Sequence, residues 1–220
     1  MTSWHHEVMT QRSRPRVVVF LGQKGGSGKT TLAVHVAVAA QADAERVVLI
    51  DTDPQASATA WAESRQEERP PVVTVSPTQV GDALAAAQDE GITLAVIDTA
   101  PHAAPGAAQA VREADLIILP CRPTAFDLRA IGAAVAIASA SRKPSAIVLN
   151  ACPPRAPEVP EAQSVLQTEH RLPVIPTPIG DRRALSRAIA TGRAVTEFEP
   201  GGRAAEEIRT LWNWIKEHLP

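Results

Sequence analysis

The sequence predicts one doubly wound α/β domain, a mostly parallel central sheet of about seven strands with helices on both faces. Three observations carry this expectation. Runs such as Val17-Val18-Val19-Phe20-Leu21 and Val47-Val48-Leu49-Ile50 are apolar throughout, as strands covered on both sides must be. Stretches with helical spacing separate these runs, which is the alternation of a parallel sheet. The runs also end in ligand-type residues, at Asp51, Asp98 and Asn150, and open sheets of this class bind ligands at the carboxyl ends of their strands.

Composition bounds what such a domain can do. With 220 residues there is room for one large domain and a substantial core. A hydrophobic fraction of 45% and a charged fraction of 21% are ordinary for a globular protein. A formal net charge of −2 excludes a chain-wide basic nucleic-acid binder, so any DNA contact needs a local patch. Cys121 and Cys152 stand far apart in the chain, which speaks against a disulfide framework and against a thiolate-held iron–sulfur cluster. No apolar run reaches the roughly 18 residues of a membrane span and no leader pattern opens the chain, so the expected place is the cytoplasm.

Residues 1–14 are polar and mixed, with Trp4, His5 and His6, and read as a flexible tail ahead of a domain spanning 15–220. Two histidines are too few for a metal site. Residues 16–21 form the first strand. Gly22-Gln23-Lys24-Gly25-Gly26-Ser27-Gly28-Lys29-Thr30-Thr31 follows, and then a helix from Thr30 to about Ala42 that is apolar nearly all round. Strand, glycine-rich loop and helix form the setting in which backbone N–H groups wrap a phosphate. Gly25, Gly26 and Gly28 let the loop turn tightly and bring its amides to an anion, with Ser27 and Thr31 in the same cradle. Lys29 is placed for the β- and γ-phosphates and the Thr30 hydroxyl for Mg²⁺. His35, inside the helix, reads as a packed core residue.

The second strand, residues 46–50, runs into Asp51-Thr52-Asp53-Pro54-Gln55. Alternation puts Asp51 and Asp53 on one side. Beside a Mg–phosphate site, one such carboxylate can sit in the metal's outer shell and the other can orient the attacking water. A helix over 57–67 carries Trp61, a short strand follows at 72–75, and an alanine-rich helix covers 80–89. The strand at 92–98 brings Asp98 to the same edge, the pattern by which a buried strand delivers a carboxylate to Mg²⁺. His102 reads as a loop histidine.

A helix over 107–114 and a strand over 115–120 come next. The long helix that then runs to about Ser141 has Asp127 near its start, either as a cap or as a partner contact. The strand at 145–150 ends at Asn150, whose amide offers a donor and an acceptor to an adenine edge, or else forms a turn. Pro178 is a second adenine candidate. A proline-rich loop, a helix over 161–170 and a proline-marked edge strand at 173–176 follow. The most basic window holds Arg182, Arg183 and Arg187, with Arg183 and Arg187 on one helix face. It reads either as a solvated surface or as a DNA contact, with Arg203 and Arg209 behind it. In the last helix, residues 203–219, Ile208, Leu211, Trp212 and Ile215 recur at helical spacing. Acidic and basic residues alternate on it, so core docking is expected and membrane binding is not.

Gln23 stands where the plain G-x-x-x-x-G-K-[ST] motif needs glycine, and a lysine precedes the paired glycines in Lys24-Gly25-Gly26-Ser27-Gly28-Lys29-Thr30. That resembles the deviant Walker A motif of the ParA/MinD group of P-loop ATPases. Asp51-Thr52-Asp53-Pro54-Gln55, Thr99-Ala100-Pro101 and the segment Arg122-Pro123-Thr124-Ala125-Phe126-Asp127-Leu128 are similar to that group's later segments. The likeness runs from Arg16 onward and is nearest to small ParA partition ATPases without an N-terminal helix-turn-helix domain. The resemblance implies that Lys24 crosses a homodimer interface to the partner's nucleotide, that Asp53 positions the attacking water and that Asp51 lies near Mg²⁺. Lys24, Lys29 and Asp53 then carry the catalytic roles. It further implies ATP-driven DNA segregation with ATP and Mg²⁺ as cofactors. The ATP-bound dimer would bind DNA nonspecifically through its C-terminal arginines, associate with the nucleoid and hydrolyse slowly until a ParB-like centromere-binding partner stimulates it. The alternative within the same group is a MinD-like or cargo-positioning ATPase on membrane or nucleoid. A metabolic relative, an amidoligase or metal-cluster carrier, would need a substrate pocket or thiolates that the sequence does not display.

Overall fold

Alternating side chains on six parallel strands divide the interior into two halves. The computed structural model describes residues 13–101 and 104–220; Trp4, His5, His6 and His102 lie outside the described residues. The strands are β1 (Arg16–Phe20), β2 (Val47–Asp51), β3 (Val72–Thr74), β4 (Leu94–Asp98), β5 (Leu116–Cys121) and β6 (Ser145–Leu149), in the order β3-β2-β4-β1-β5-β6. Every pairing among them is parallel. Val18, Phe20, Leu49, Val96 and Ile118 face one core, and Val17, Val19, Ile50, Ile97 and Ile117 face the other. Burial on both faces is why the interior positions of the central strands β1, β2, β4 and β5 carry no polar side chain.

The helices are α1 (Lys29–Ala42), α2 (Ser57–Glu63), α3 (Val80–Asp89), α4 (Ala104–Glu113), α5 (Ala125–Ser141), α6 (Glu158–His170), α7 (Arg183–Ala190), α8 (Val195–Phe198) and α9 (Arg203–His218). Helix α1 is buried along Leu32 to Ala40, because the sheet covers one side and α9 the other. Helix α9 docks through Ile208, Leu211, Trp212 and Ile215, all essentially inaccessible to solvent. Each such side chain stabilises the fold by about 2–3 kcal/mol relative to exposure. The Trp212 indole N–H donates to Asp43 at 2.9 Å, and Lys216 pairs with the same carboxylate at 2.8 Å. The expected core role of this helix therefore holds, and among the described residues no helix is long and apolar enough to cross a membrane.

Two elements differ from the sequence expectation. The segment at 173–176 is no strand: Val174 makes one isolated bridge to Ile147, so the sheet has six strands and not about seven. Two backbone bonds flank that bridge, Ile147 N–H to Pro173 and Ile175 N–H to Ile147. Pro173 and Pro176 lack the N–H groups that would extend the ladder. Helix α2 stops at Glu63 and not at Glu67, where the Ser64 hydroxyl turns back to the Trp61 carbonyl at 2.8 Å. Arg65 then leaves the helical path and pairs with Glu197 of α8.

Candidate functional site

The carboxyl ends of the central strands meet in one row. Phe20, Asp98 and Asp51 are direct neighbours across β1, β4 and β2. Two buried hydroxyls stitch that row together: Thr99 donates to the Phe20 carbonyl at 2.8 Å and Thr52 to the Asp98 carbonyl at 2.9 Å. The glycine-rich loop leaves β1 at this row and enters α1 at Lys29. Gly28 caps the helix with φ 96°, a left-handed conformation that glycine adopts without strain. A Cβ there would also stand 2.0 Å from the Asn150 amide nitrogen. The N–H groups of the first turn of α1 thus open toward the loop, the arrangement that receives a phosphate.

Three charged side chains converge beneath the loop. Lys29 is buried, and its ammonium reaches the Lys24 carbonyl at 3.4 Å. Burial lowers its pKa, while Asp98 and Asp53 act to raise it. Asp98 is wholly inaccessible, and neither of its oxygens has a hydrogen-bond partner. Burial first, and then the neighbouring Asp51 and Asp53, push its pKa up to about 7, with Thr30 and Lys29 favouring the anion. A buried carboxylate with two unpaired oxygens beside a threonine hydroxyl fits a Mg²⁺ ion whose other ligands are phosphate oxygens and water. Among the described residues no group of three or more His, Cys, Asp or Glu side chains could hold a metal by itself.

The structure divides the predicted pair Asp51 and Asp53. Both oxygens of Asp51 are taken: one accepts the Asp53 N–H at 3.0 Å, the other the N–H groups of Ala58 and Thr59 at 3.0 and 3.2 Å. Asp51, expected in the metal's outer shell, thus caps α2 and fixes the loop between them. Asp53 uses one oxygen on the Gln55 N–H at 2.9 Å and stands at the edge of burial, 9% exposed.

The remaining predictions fare unequally. Thr30 and Thr31 lie half-buried in the first turn of α1, and Gly25 and Gly26 form the exposed lip of the loop. Asn150 is buried, and its amide donates to the Ser27 carbonyl at 2.7 Å, so this side chain braces the loop. That strut replaces the expected free adenine-reading amide, although its carbonyl remains available. Pro178 is half-buried in the segment whose Ile179 N–H bonds the Leu149 carbonyl at the end of β6. Arg182 is not a free surface cation, because Glu207 holds it through two bonds of 2.9 and 2.6 Å. Arg183 and Arg187 are exposed on α7, and Arg203 is largely exposed beside Glu207. Asp127 sits in the first turn of α5 but is not its cap; the Thr124 hydroxyl accepts the Asp127 N–H at 3.2 Å.

Sequence reasoning missed Arg122. It follows β5 directly with its guanidinium over Gly26; the sequence offered a charged residue at a strand's carboxyl end and its place at the head of the segment 122–128, but no role. It also missed Arg65 and Arg69, which line one cleft between α1, α2 and α8 together with Arg193 and Arg209 of the basic C-terminal part. The four come from three separate stretches of chain, which only the fold brings together.

Comparison with known proteins agrees with this geometry. The family model for the CobQ/CobB/MinD/ParA nucleotide binding domain matches residues 18–195. Maintenance of carboxysome distribution protein A from Gloeobacter kilaueensis is 34% identical over 94% of this chain and 95% of its own length. Chromosome-partitioning ATPase Soj from Thermus thermophilus is 26% identical over 57% of this chain and 62% of its own. Among solved structures, the septum site-determining protein MinD complexed with Mg-ADP from Pyrococcus horikoshii superposes with a TM-score of 0.72. It covers 92% of this chain and 96% of that one at 16% identity, a likeness of fold. With the phosphate loop, the buried Asp98 and the family match in agreement, the chain belongs to the CobQ/CobB/MinD/ParA nucleotide-binding family.

Proposed function

We propose that this ATPase distributes a large cargo inside the cell by switching between a single chain and an ATP-closed homodimer that binds DNA nonspecifically. The observation that carries the reading is Lys24. It stands on the exposed lip of the loop, its side chain 44% exposed and its ammonium paired with Asp127 at 2.9 Å, where a second copy can reach it. Two face-to-face chains would each receive the other's Lys24 at the phosphates. Lys29 and the loop amides bind the nucleotide, Thr30 and Asp98 hold the Mg²⁺ that neutralises phosphate charge, and Asp53 orients the attacking water. Arg183 and Arg187 on α7, with Arg193 and Arg209 in the adjoining cleft, supply the cations for DNA phosphates. Hydrolysis opens the dimer and releases the DNA, and a partner protein on the cargo accelerates that step.

Similarity over nearly the whole chain to a carboxysome distribution protein supports a protein body as cargo. Similarity to Soj supports a second reading, in which the cargo is a replicon and the partner a ParB-like centromere-binding protein. In both readings the protein acts on the nucleoid.

ATP-dependent retention of the chain on DNA tests what the two readings share. Arg183→Glu with Arg187→Glu should weaken that binding at least about tenfold and lower the salt slope by about two per chain. Unchanged affinity and slope would move the patch elsewhere. Strong ATP-dependent sedimentation with liposomes, without DNA binding, would overturn the proposal.

A further inference from the structure

The cleft between α1, α2 and α8 encloses about 860 Å³, room for a nucleotide-sized molecule. No residue of the phosphate loop lines it. It takes Val38 and Ala42 from the carboxyl-terminal end of α1, roughly 20 Å along the helix from Lys29. Its charged lining is four arginines against two glutamates, Glu67 and Glu197. The arginine within, Arg65, is already committed. Its side chain is 4% exposed, and it bonds Glu197 at 2.8 and 2.6 Å, the Gly192 carbonyl at 3.1 Å and the Arg69 carbonyl at 3.1 and 2.8 Å. Those bonds neutralise Glu197, which also accepts the Ala194 N–H at 2.8 Å. They tie the exit of α2, the turn at Gly192 and α8 into one frame. Trp61 adds an indole N–H to the Arg193 carbonyl at 3.2 Å, and Gly192 packs on the Ser64 carbonyl with no room for a Cβ.

Arg69, Arg193 and Arg209 stand exposed on that frame. Among the described residues none of the three has a carboxylate within ion-pair distance. Arg209 gives one N–H to the Pro200 carbonyl at 2.5 Å and keeps its other donors. Thr196 lines the same cleft, and its buried hydroxyl has no partner. Unpaired guanidinium groups on a fixed frame suit phosphate, because each planar fork matches two oxygens and little freedom is lost on binding.

We propose that this cleft is a second anion site, separate from the phosphate loop, which seats the pyrophosphate group of a small molecule on Arg69, Arg193 and Arg209. Duplex DNA does not fill it. A rod with a persistence length of about 50 nm lies across a concave cleft and touches only its mouth, whereas a compact polyphosphate enters. The site does not depend on the DNA reading above, although it shares Arg193 and Arg209 with it, so an occupied cleft withholds two cations from DNA.

Calorimetric titration of inorganic pyrophosphate without Mg²⁺ tests this. The full chain carries Lys29→Ala, which removes the phosphate loop as a competing site. One site should remain. Arg69→Gln or Arg193→Gln, added singly, should raise its dissociation constant about tenfold or more. Arg129→Gln, on the helix that packs the opposite face of the sheet, should leave it unchanged. No binding to the Lys29→Ala chain, a constant that Arg69→Gln and Arg193→Gln do not move, or an equal loss from Arg129→Gln overturns the site. Should Lys29→Ala not fold, the wild-type chain should show two pyrophosphate sites, of which Arg193→Gln weakens one; a single site that Arg193→Gln leaves unmoved refutes the cleft. ADP is titrated in parallel. Tighter binding than pyrophosphate makes the ligand a nucleotide whose ring lies on Val38, Ala42 and Phe198, and equal or weaker binding makes it a free polyphosphate. A chain that binds a DNA duplex through Arg193 but takes no pyrophosphate refutes the cleft site and keeps the DNA reading; pyrophosphate binding without DNA binding does the reverse.

Discussion

Lowering the pH toward 5 should erode the stability contributed by one residue of α1. His35 is wholly inaccessible, and its Nδ1 accepts the Val195 N–H at 3.1 Å. The imidazole is therefore neutral and carries its proton on Nε2, which has no hydrogen-bond partner. Burial lowers its pKa to about 4, against opposing contributions from the Leu185 carbonyl and the Glu197 carboxylate. Between pH 6.5 and 4 the unfolded chain binds a proton that the folded chain refuses, so stability falls as pH falls. At about 1.4 kcal/mol per unit, the loss is about 2 kcal/mol by pH 5 and about 3 kcal/mol by pH 4. Asp98 acts with the opposite sign over much of this range, because its raised pKa lets the folded chain hold a proton that the unfolded chain releases. The quantity to measure is therefore a difference. Urea unfolding of the wild type and of His35→Asn, whose amide oxygen can still accept from Val195, is compared at pH 7 and pH 5. The wild type's advantage should shrink by about 2 kcal/mol. An advantage that stays constant across that interval would refute a neutral, buried His35.

Other perturbations probe the site and its scaffold. Asp98→Asn should cut Mg²⁺-dependent ATP hydrolysis about 100-fold or more. The same variant without metal or nucleotide should be more stable than wild type at pH 8 by about 2–4 kcal/mol, an advantage that vanishes below pH 4; a less stable variant at pH 8 would contradict the unpaired carboxylate. Asp53→Ala should still bind ATP and accumulate as dimer while turnover collapses, and normal turnover would remove its water-positioning role. Gly192→Ala places a Cβ 2.3 Å from the Ser64 carbonyl oxygen at φ +67°, so thermal unfolding should show a loss of at least about 2 kcal/mol; an unchanged melting temperature would mean that the α2–α7 contact is not rigid.

Much of the molecule could be read without coordinates, because its information is local. An apolar run followed by glycines and Lys29 specifies strand, loop and helix in one stretch, and Asp98 at the end of a buried run can only reach the sheet edge. The deviant Lys24 was legible for the same reason. Tertiary structure decided what depends on which chain segments meet. Asp51 and Asp53 look equivalent in the sequence, yet the start of α2 folds back and saturates Asp51 with N–H groups, leaving Asp53 the available carboxylate. Asn150 became a brace because β6 ends beneath Ser27, and Arg182 was lost to the surface because α9 brings Glu207 against it. The pairing of Lys24 with Asp127 joins residues that no periodicity relates; β5 carries its following helix to the side of the phosphate loop, and only that neighbourhood brings the two charges together. The sequence alone determined a phosphate-type loop between a buried strand and a helix, with one lysine beyond the one that the loop itself uses. The tertiary structure decided where that lysine rests, since opposite charges bind the neighbour that packing supplies.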